Sequence, residues 1–188
     1  AAHVPTAATF TYTVASSDQM NVPAELDRIV ASAANITHNY TNTTDADVII
    51  TYTVTPIGAN GCAGNTFTVT VTVKPEPDIS DVTATAVCSD SPTGFTLPND
   101  TDGPSAASYN ITDIEANGLS FSAGAPATGT GFLAGEIAND AWTNATNSTV
   151  NVVYTIVPVS ADGCQGNSFT VTVPIQPEPI VAFQTKTV

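Results

Sequence analysis

The chain has 188 residues, of which 42% are hydrophobic and 11% are charged, and its 17 acidic residues outnumber three basic ones to give a formal net charge of −14. This length and apolar content allow one large or two small buried cores. The acidic surplus excludes a basic surface for nucleic acid or for an anionic membrane. No apolar run reaches the roughly 18 residues of a membrane-spanning helix.

Strands are the predicted elements along most of the chain. Thr, Val, Asn and Ser are abundant while Lys, Arg, Glu and Leu are scarce, a balance that favours pleated sheets over helices. One short helix is expected in "NVPAELDRIV", residues 21–30. Residues 48–54 and 67–73 then alternate apolar with mostly polar side chains. This pattern predicts two antiparallel strands that share one buried face, joined by the turn-rich loop "IGANGCAG".

The second half of the chain repeats the first. A shift of 102 residues aligns residues 40–77 with residues 142–179 and makes 20 of these 38 positions identical. Upstream, "AATFTYT" aligns with "AASYNIT" when the shift is reduced by three residues. Repeated short strands with frequent turn signals predict an all-β fold made of tandem immunoglobulin-like β-sandwich domains. Pro174 replaces Thr72 in the last strand, and a proline is expected at a sheet edge because it lacks an N–H.

Each repeat ends in a Pro-Glu-Pro segment, which we interpret as a short, semi-rigid linker. The linker residues are Pro75, Glu76, Pro77, Pro177, Glu178 and Pro179. The predicted domains are a sandwich repeat over residues 1–76 that lacks its first strand, a complete repeat over residues 77–179, and the first strand of a following repeat over residues 180–188. Because both ends fall within a unit, we expect a window on a longer tandem array.

Three cysteines are distributed over the two repeats. Cys88 follows the opening strand of the second repeat and Cys164 lies in its late hairpin loop, so we expect a disulfide between them. Cys62 is the counterpart of Cys164; it is unpaired in this chain and would pair with a residue upstream of Ala1. Such bridges belong to oxidising surroundings and indicate an exported protein. The alternative is three free thiols in a reducing compartment.

Groups suited to catalysis are few. His3 and His38 are the only imidazoles, and no GxSxG, HExxH or CxxC motif is present. We therefore predict that the chain is not an enzyme and needs no cofactor. The one metal candidate is calcium at Asp100 and Asp102 beside Gly103, where the EF-hand pattern fails and a plain turn is the alternative.

The stretches "YTVTPIGANGCAGNTFTVTVTVKPEP" and "YTIVPVSADGCQGNSFTVTVPIQPEP" resemble the PKD-like repeats of very large surface proteins of gliding, type IX-secreting bacteria, including gliding-motility adhesins. The resemblance covers nearly the whole chain. It implies an extracellular immunoglobulin-like sandwich at a bacterial cell surface, serving as a stalk or adhesive module. It names no catalytic residues.

We accordingly expect a non-catalytic structural or adhesive module in the stalk of a large adhesin. Its expected partners are neighbouring repeats of the same polypeptide, with surface glycans or a substratum as further candidates. Two alternatives remain open. One is a glycan-binding accessory module of a secreted enzyme or adhesin, with segments 18–34 and 119–136 as contact loops. The other is a self-assembling fibre subunit, in which residues 180–188 fill the vacant strand position of a neighbour.

Overall fold

The computed structural model describes residues 7–31, 35–101 and 103–179. These residues form strands, loops and one 3-10 turn, so the predicted all-β class is confirmed. The chain divides between Glu76 and Pro77 into two compact units. The first unit contains β1 (Ala7–Ser16), β2 (Arg28–Ala31), β3 (Val48–Gly58) and β4 (Phe67–Val73).

The first unit is an antiparallel sheet with the strand order β2-β1-β3-β4. Tyr12, Ile50 and Tyr52 on its inner face are buried and form the centre of its core. The helix expected over residues 21–30 is wrong, because the end of this segment forms β2, which pairs with β1. A single short helix has little stability of its own, whereas β-branched Ile29 and Val30 suit a strand beside an open sheet edge.

The second unit has more strands and two layers. Its elements are β5 (Val82–Thr83), β6 (Val87–Cys88), β7 (Ala106–Glu115), β8 (Ser120–Ala123), β9 (Gly129–Phe132), a 3-10 turn (Glu136–Asn139), β10 (Ala141–Thr143), β11 (Val150–Ser160) and β12 (Phe169–Gln176). The larger sheet has the order β5-β12-β11-β7-β9, with β6 also paired to β12, and β8 and β10 form the smaller sheet. Tyr154 and Phe169 of the larger sheet pack with Trp142 of β10 and Ile137 of the 3-10 turn, which is the core of a sandwich.

The strand pairing confirms how the two repeats align. Tyr12 of β1 lies opposite Val54 of β3, and Ile111 of β7 lies opposite Ile156 of β11. Val54 and Ile156 are equivalent under the shift of 102 residues. Tyr12 and Ile111 are equivalent under the same shift reduced by three residues, to 99. The opening strands therefore occupy equivalent positions despite their different loops.

The last strand of the second unit lies inside its sheet rather than at an edge. β12 pairs antiparallel with β11 on one side and parallel with β5 and β6 on the other. Pro174 falls between the β5 pairing at Thr172 and the β6 pairing at Ile175. The missing N–H of Pro174 thus coincides with an interruption in the neighbouring strand.

The equivalent strands β4 and β12 differ in burial. Phe169, Val171 and Val173 are at most 1% exposed, as the alternating pattern predicts. Their counterparts in β4 are 42–48% exposed, so the prediction of a buried face is wrong for that strand. The side chains point to the same face as the buried residues of β3 with which they pair, but the described residues of the first unit leave them only partly covered.

Candidate functional site

A buried asparagine fastens the chain at the end of the second unit. Asn144 is fully buried, and its Nδ2 donates hydrogen bonds to the carbonyl oxygens of Ser148 (2.9 Å) and Ile175 (2.7 Å). Its Oδ1 accepts from the backbone N–H (3.0 Å) and the hydroxyl (2.7 Å) of Thr146. One side chain therefore ties its own loop to the last core strand.

The first unit contains the same arrangement. Nδ2 of Asn42 donates to the carbonyl oxygens of Ala46 and Val73, both at 2.9 Å, and Oδ1 accepts from Thr44. Asn42 and Asn144 both begin Asn-x-Thr sequons, yet the amide nitrogen that an oligosaccharide would occupy is buried and bonded in each. These two sequons are structural elements of the fold.

The same asparagines hold the first part of each Pro-Glu-Pro linker. The backbone N–H of Glu76 donates to the carbonyl of Asn42 (2.8 Å), and that of Glu178 donates to the carbonyl of Asn144 (3.1 Å). The carboxylate of Glu178 also accepts from the hydroxyl of Ser89 (3.2 Å), and its hydrogen bond with Asp90 raises its pKa above the usual value. The exit of the second unit is therefore fixed by side-chain and backbone bonds.

The chain enters the second unit at the opposite end. The carbonyl of Pro77 lies against Gly166 in the β11–β12 loop, where a Cβ would collide with it. Directly after the proline, the backbone N–H of Asp78 donates to Oδ2 of Asp100 (2.8 Å). Entry at the loop before β12 and exit after β12 place the two linkers at opposite ends of this strand.

The close approach at the entry leads to a test with a matched control. In Gly166→Ala, the new methyl group should displace the entering chain and lower the free energy of unfolding of the second unit by about 1–3 kcal/mol. The control is Gly64→Ala at the equivalent position, where the nearest atom to the added carbon would be the side-chain Cγ of Pro56, at 3.0 Å, rather than a backbone oxygen. Urea titration of both variants measures the difference; equal losses would contradict a specific contact at the entry.

A hydrogen-bonded chain of three side chains crosses the core of the second unit. Nε1 of Trp142 donates to the hydroxyl of Tyr154 (3.1 Å), which donates to Oδ2 of Asp140 (3.0 Å). All three residues are buried. Burial raises the pKa of Asp140 and that of Tyr154 above their ordinary values, while the bond from Tyr154 partly opposes the shift at Asp140.

The equivalent positions in the first unit carry His38, Tyr40 and Tyr52. Nδ1 of His38 lies 3.1 Å from the hydroxyl of Tyr52, which also lies 3.1 Å from that of Tyr40, and Nε2 lies 3.3 Å from the hydroxyl of Tyr12. Burial raises the pKa of Tyr52. These bonds give His38 a structural role among tyrosines.

The predicted disulfide between Cys88 and Cys164 does not form in the structure. Cys88 pairs with Gln176 at the end of β12, whereas Cys164 precedes the start of that strand at Phe169. At about 3.3 Å per residue, β12 separates the two thiols by roughly 20 Å or more, and a disulfide needs Cα atoms within about 7 Å. Cys62, Cys88 and Cys164 are all free thiols.

The predicted calcium site at Asp100 and Asp102 stays a prediction. The carboxylate of Asp100 accepts a hydrogen bond from the backbone N–H of Asp78. The neighbouring Asn99 accepts one from the backbone N–H of Ala106 (2.7 Å). Asp102 lies outside the described residues. Within the described ranges, no group of three or more His, Cys, Asp or Glu residues is placed to hold a metal ion.

The divergent loops expose two large apolar side chains in the second unit. Phe121 on β8 is 61% exposed and Leu133 is 70% exposed, while Phe132 packs against the core. In the first unit, a row of threonines runs across three strands, with Thr13 opposite Thr53 and Thr53 opposite Thr68. Over the part of the chain that the structure describes, no helix has the length and apolarity to cross a bilayer.

The sequence comparisons agree with this duplicated architecture. The PKD-like domain family matches residues 2–77 and residues 85–179. A comparison with curated proteins gives no significant match. These two matches cover most of the chain, so the chain belongs to the PKD-like domain family and contains two domains of this immunoglobulin-like type.

Proposed function

We propose that the chain is a non-catalytic, load-bearing part of the stalk of a large bacterial cell-surface adhesin. The observation that carries the proposal is the parallel pairing of the first strands of the second unit, β5 and β6, with its last strand, β12. Because the chain enters and leaves at opposite ends of β12, tension between the linkers runs along these strands. Their hydrogen bonds are then loaded together in shear.

The fastening of both linkers supports this role. Glu76 and Glu178 are held by the same backbone bond to a buried asparagine in each unit, so a pull on either linker is passed directly to the last core strand. Within the second unit, the hydrogen bond from Nδ2 of Asn144 to the carbonyl oxygen of Ile175 connects this asparagine directly to β12. Repetition of one fastening device in consecutive domains suits a serial spacer.

The setting of the stalk is also part of the proposal. PKD-like domains are typically extracellular modules, and the two Pro-Glu-Pro repeats resemble those of gliding-motility adhesins exported by type IX secretion. We infer that neighbouring repeats of the same polypeptide are the main partners, and that the array holds an adhesive region away from the cell surface.

Single-molecule pulling tests the load-bearing role through its direction. Every variant carries Cys62→Ser and Cys88→Ser, so that these thiols do not react with a handle. In the first variant, Cys164→Ser removes the remaining native thiol, and handles attached at Asp78→Cys and Pro179→Cys load the second unit in shear. Handles at Asp78→Cys and the native Cys164 lie at one end of the unit and peel β5 from β12 one bond at a time. We expect a several-fold higher rupture force in the first geometry, and equal forces would overturn the proposal.

A second candidate function, glycan binding, is favoured by the exposed Phe121. Aromatic side chains provide rigid apolar area for recognition, and this one belongs to the divergent segment 119–136, which also contains the exposed Leu133. A glycan array that gives strong signals for the chain and loses them with Phe121→Ala would support this function. Signals that are absent from both proteins would count against it.

A further inference from the structure

The outer face of the first sheet holds four threonines in register. Thr11 of β1 lies opposite Thr55 of β3, and Thr13 lies opposite Thr53. The residues between them on both strands are buried in the core, so the threonines occupy the other face of the sheet. Strand spacing and pleat place them at the corners of a rectangle of roughly 5 Å by 7 Å, which is comparable in size with a six-membered sugar ring. We call these four residues the threonine rectangle.

A pocket of about 320 Å³ opens at the threonine rectangle. This volume is at the lower end of the range of roughly 300–1,000 Å³ that is typical of small-molecule sites. The lining residues are Thr11, Tyr12, Thr13, Asp27, Arg28, Ile29, Thr53 and Thr55. The pocket therefore combines threonine hydroxyls from two strands with side chains from β2 and the residue before it.

The chain at β2 supplies an apolar wall and a carboxylate. Ile29 pairs with Thr11 and is 74% exposed, so it offers apolar surface beside the hydroxyls. Oδ1 of Asp27 accepts a hydrogen bond from the backbone N–H of Val14 (3.0 Å), one step beyond the last β1–β2 pair at Arg28. This bond holds the carboxylate against β1, and a carboxylate has further lone pairs with which to accept from a ligand.

The chemistry of the lining favours an uncharged ligand that is rich in hydroxyl groups. Threonine hydroxyls both donate and accept, and a carboxylate accepts, while an apolar side chain packs against the C–H face of a sugar ring. The lining contains one acidic and one basic residue, so its formal charge is zero. The formal charge of −14 on the whole chain repels polyanions.

The second unit does not repeat the threonine rectangle. The counterpart of Thr11 is Asn110, whose Oδ1 accepts a hydrogen bond from the backbone N–H of Gly131 (3.0 Å). The counterpart of Thr55 is Val157, which lies opposite Asn110 and has no hydroxyl. The first unit therefore differs from the second in the chemistry of this face, although the strands correspond.

We propose that this pocket of the first unit binds one pyranose ring of a neutral polysaccharide. The threonine rectangle and Asp27 bind the ring hydroxyls, and Ile29 packs against its apolar face. This binding goes beyond the stalk function and uses residues of a different unit from Phe121. Its failure would leave the shear experiment and the Phe121 experiment unaffected.

Titration of the full chain, followed by NMR of isotope-labelled threonine methyl groups, tests the site. The neutral probes are cellohexaose and mannohexaose, and the acidic probe is hexagalacturonate. We expect at least one neutral probe to shift the methyl signals of the threonine rectangle with a Kd of about 1 mM. Hexagalacturonate should bind about tenfold more weakly because of its charge. No shift with either neutral probe, or tighter binding of hexagalacturonate, would overturn the proposal.

Conservative variants locate the binding at these side chains. Thr53→Val removes one hydroxyl and keeps the branched shape, so it should weaken binding by about threefold or more. Asp27→Asn keeps an oxygen for the N–H of Val14 and should weaken binding about tenfold by removing the charge. The controls are Thr70→Val, on the same face of β4 but outside the lining, and Thr155→Val, the counterpart of Thr53 in the second unit. Both controls should bind like the unmodified chain; equal losses in controls and pocket variants, or no loss in the pocket variants, would overturn the site.

Discussion

Replacing Asn144 by Asp is expected to cost the second unit roughly 3–5 kcal/mol at neutral pH, as the loss of one partner in a buried polar network does. The side chain keeps its shape, but Oδ2 would face the carbonyl oxygens of Ser148 and Ile175 in place of an N–H donor. A buried negative charge would lie beside two acceptors. This loss is a large share of the stability of a typical domain.

Trp142 makes the measurement specific. It is the one tryptophan of the chain and lies in the core of the second unit, so its fluorescence during urea titration follows that unit alone. Asn147→Asp, an exposed change in the same loop, is the control and should have little effect. Acidification should restore part of the stability of Asn144→Asp, because a protonated carboxyl can donate to one of the carbonyls. An unchanged midpoint at neutral pH would show that the buried amide is dispensable.

Tyr154→Phe is expected to destabilise the second unit by about 2–3 kcal/mol, because removing one hydroxyl leaves one buried group without a partner and a second buried group with one partner fewer. Nε1–H of Trp142 loses its acceptor, and the carboxylate of Asp140 loses one donor but keeps the backbone N–H of Ala125. Tyr52→Phe in the first unit should cost less, near 1 kcal/mol, since His38 and Tyr40 are only half-buried and still bond to each other.

The stability deficit of Tyr154→Phe, which is the free energy of unfolding that the variant loses, should depend on pH in a defined direction. Burial already holds the pKa of Asp140 above its ordinary value, and Tyr154 opposes this shift. A raised pKa in the folded state means that the charged carboxyl opposes folding above that pKa, and the penalty disappears as the pH falls through it. Without the hydroxyl the pKa should rise further, so the deficit should shrink on acidification. A deficit that is constant with pH would contradict this role of Asp140.

The sequence predicted those features that depend on local pattern. Alternation at residues 150–156 and 169–175 identified both central strands and their inner faces. It could not show that Phe67 and Phe169 differ in burial, because the alternating pattern indicates which face a side chain shares and not what covers that face. In the second unit this face is covered by residues 79–97, which pack against it but contain few regular strand residues and give no periodic signal.

Long-range placement explains the other differences. Cys88 lies far from Cys164 because the first strands run parallel to the last one, a topology that cysteine spacing does not encode. The fastening role of Asn42 and Asn144 was also missed, although a signal was present: Asn and the Thr two positions later are identical in both copies while the residue between them differs. In a region otherwise rich in Asn and Thr, composition hid that signal.

In the proposed stalk, the free thiols at opposite ends of the second unit decide what happens when the load exceeds what its strands can bear. With no covalent tie between Cys88 and Cys164, a unit that finally gives way can unravel from linker to linker. About 100 residues at roughly 3.5 Å each would then add some 350 Å of slack to the tether, less the length of the folded unit. Each domain would serve as a reserve of extension that spares the attachment points, whatever the redox state of its surroundings.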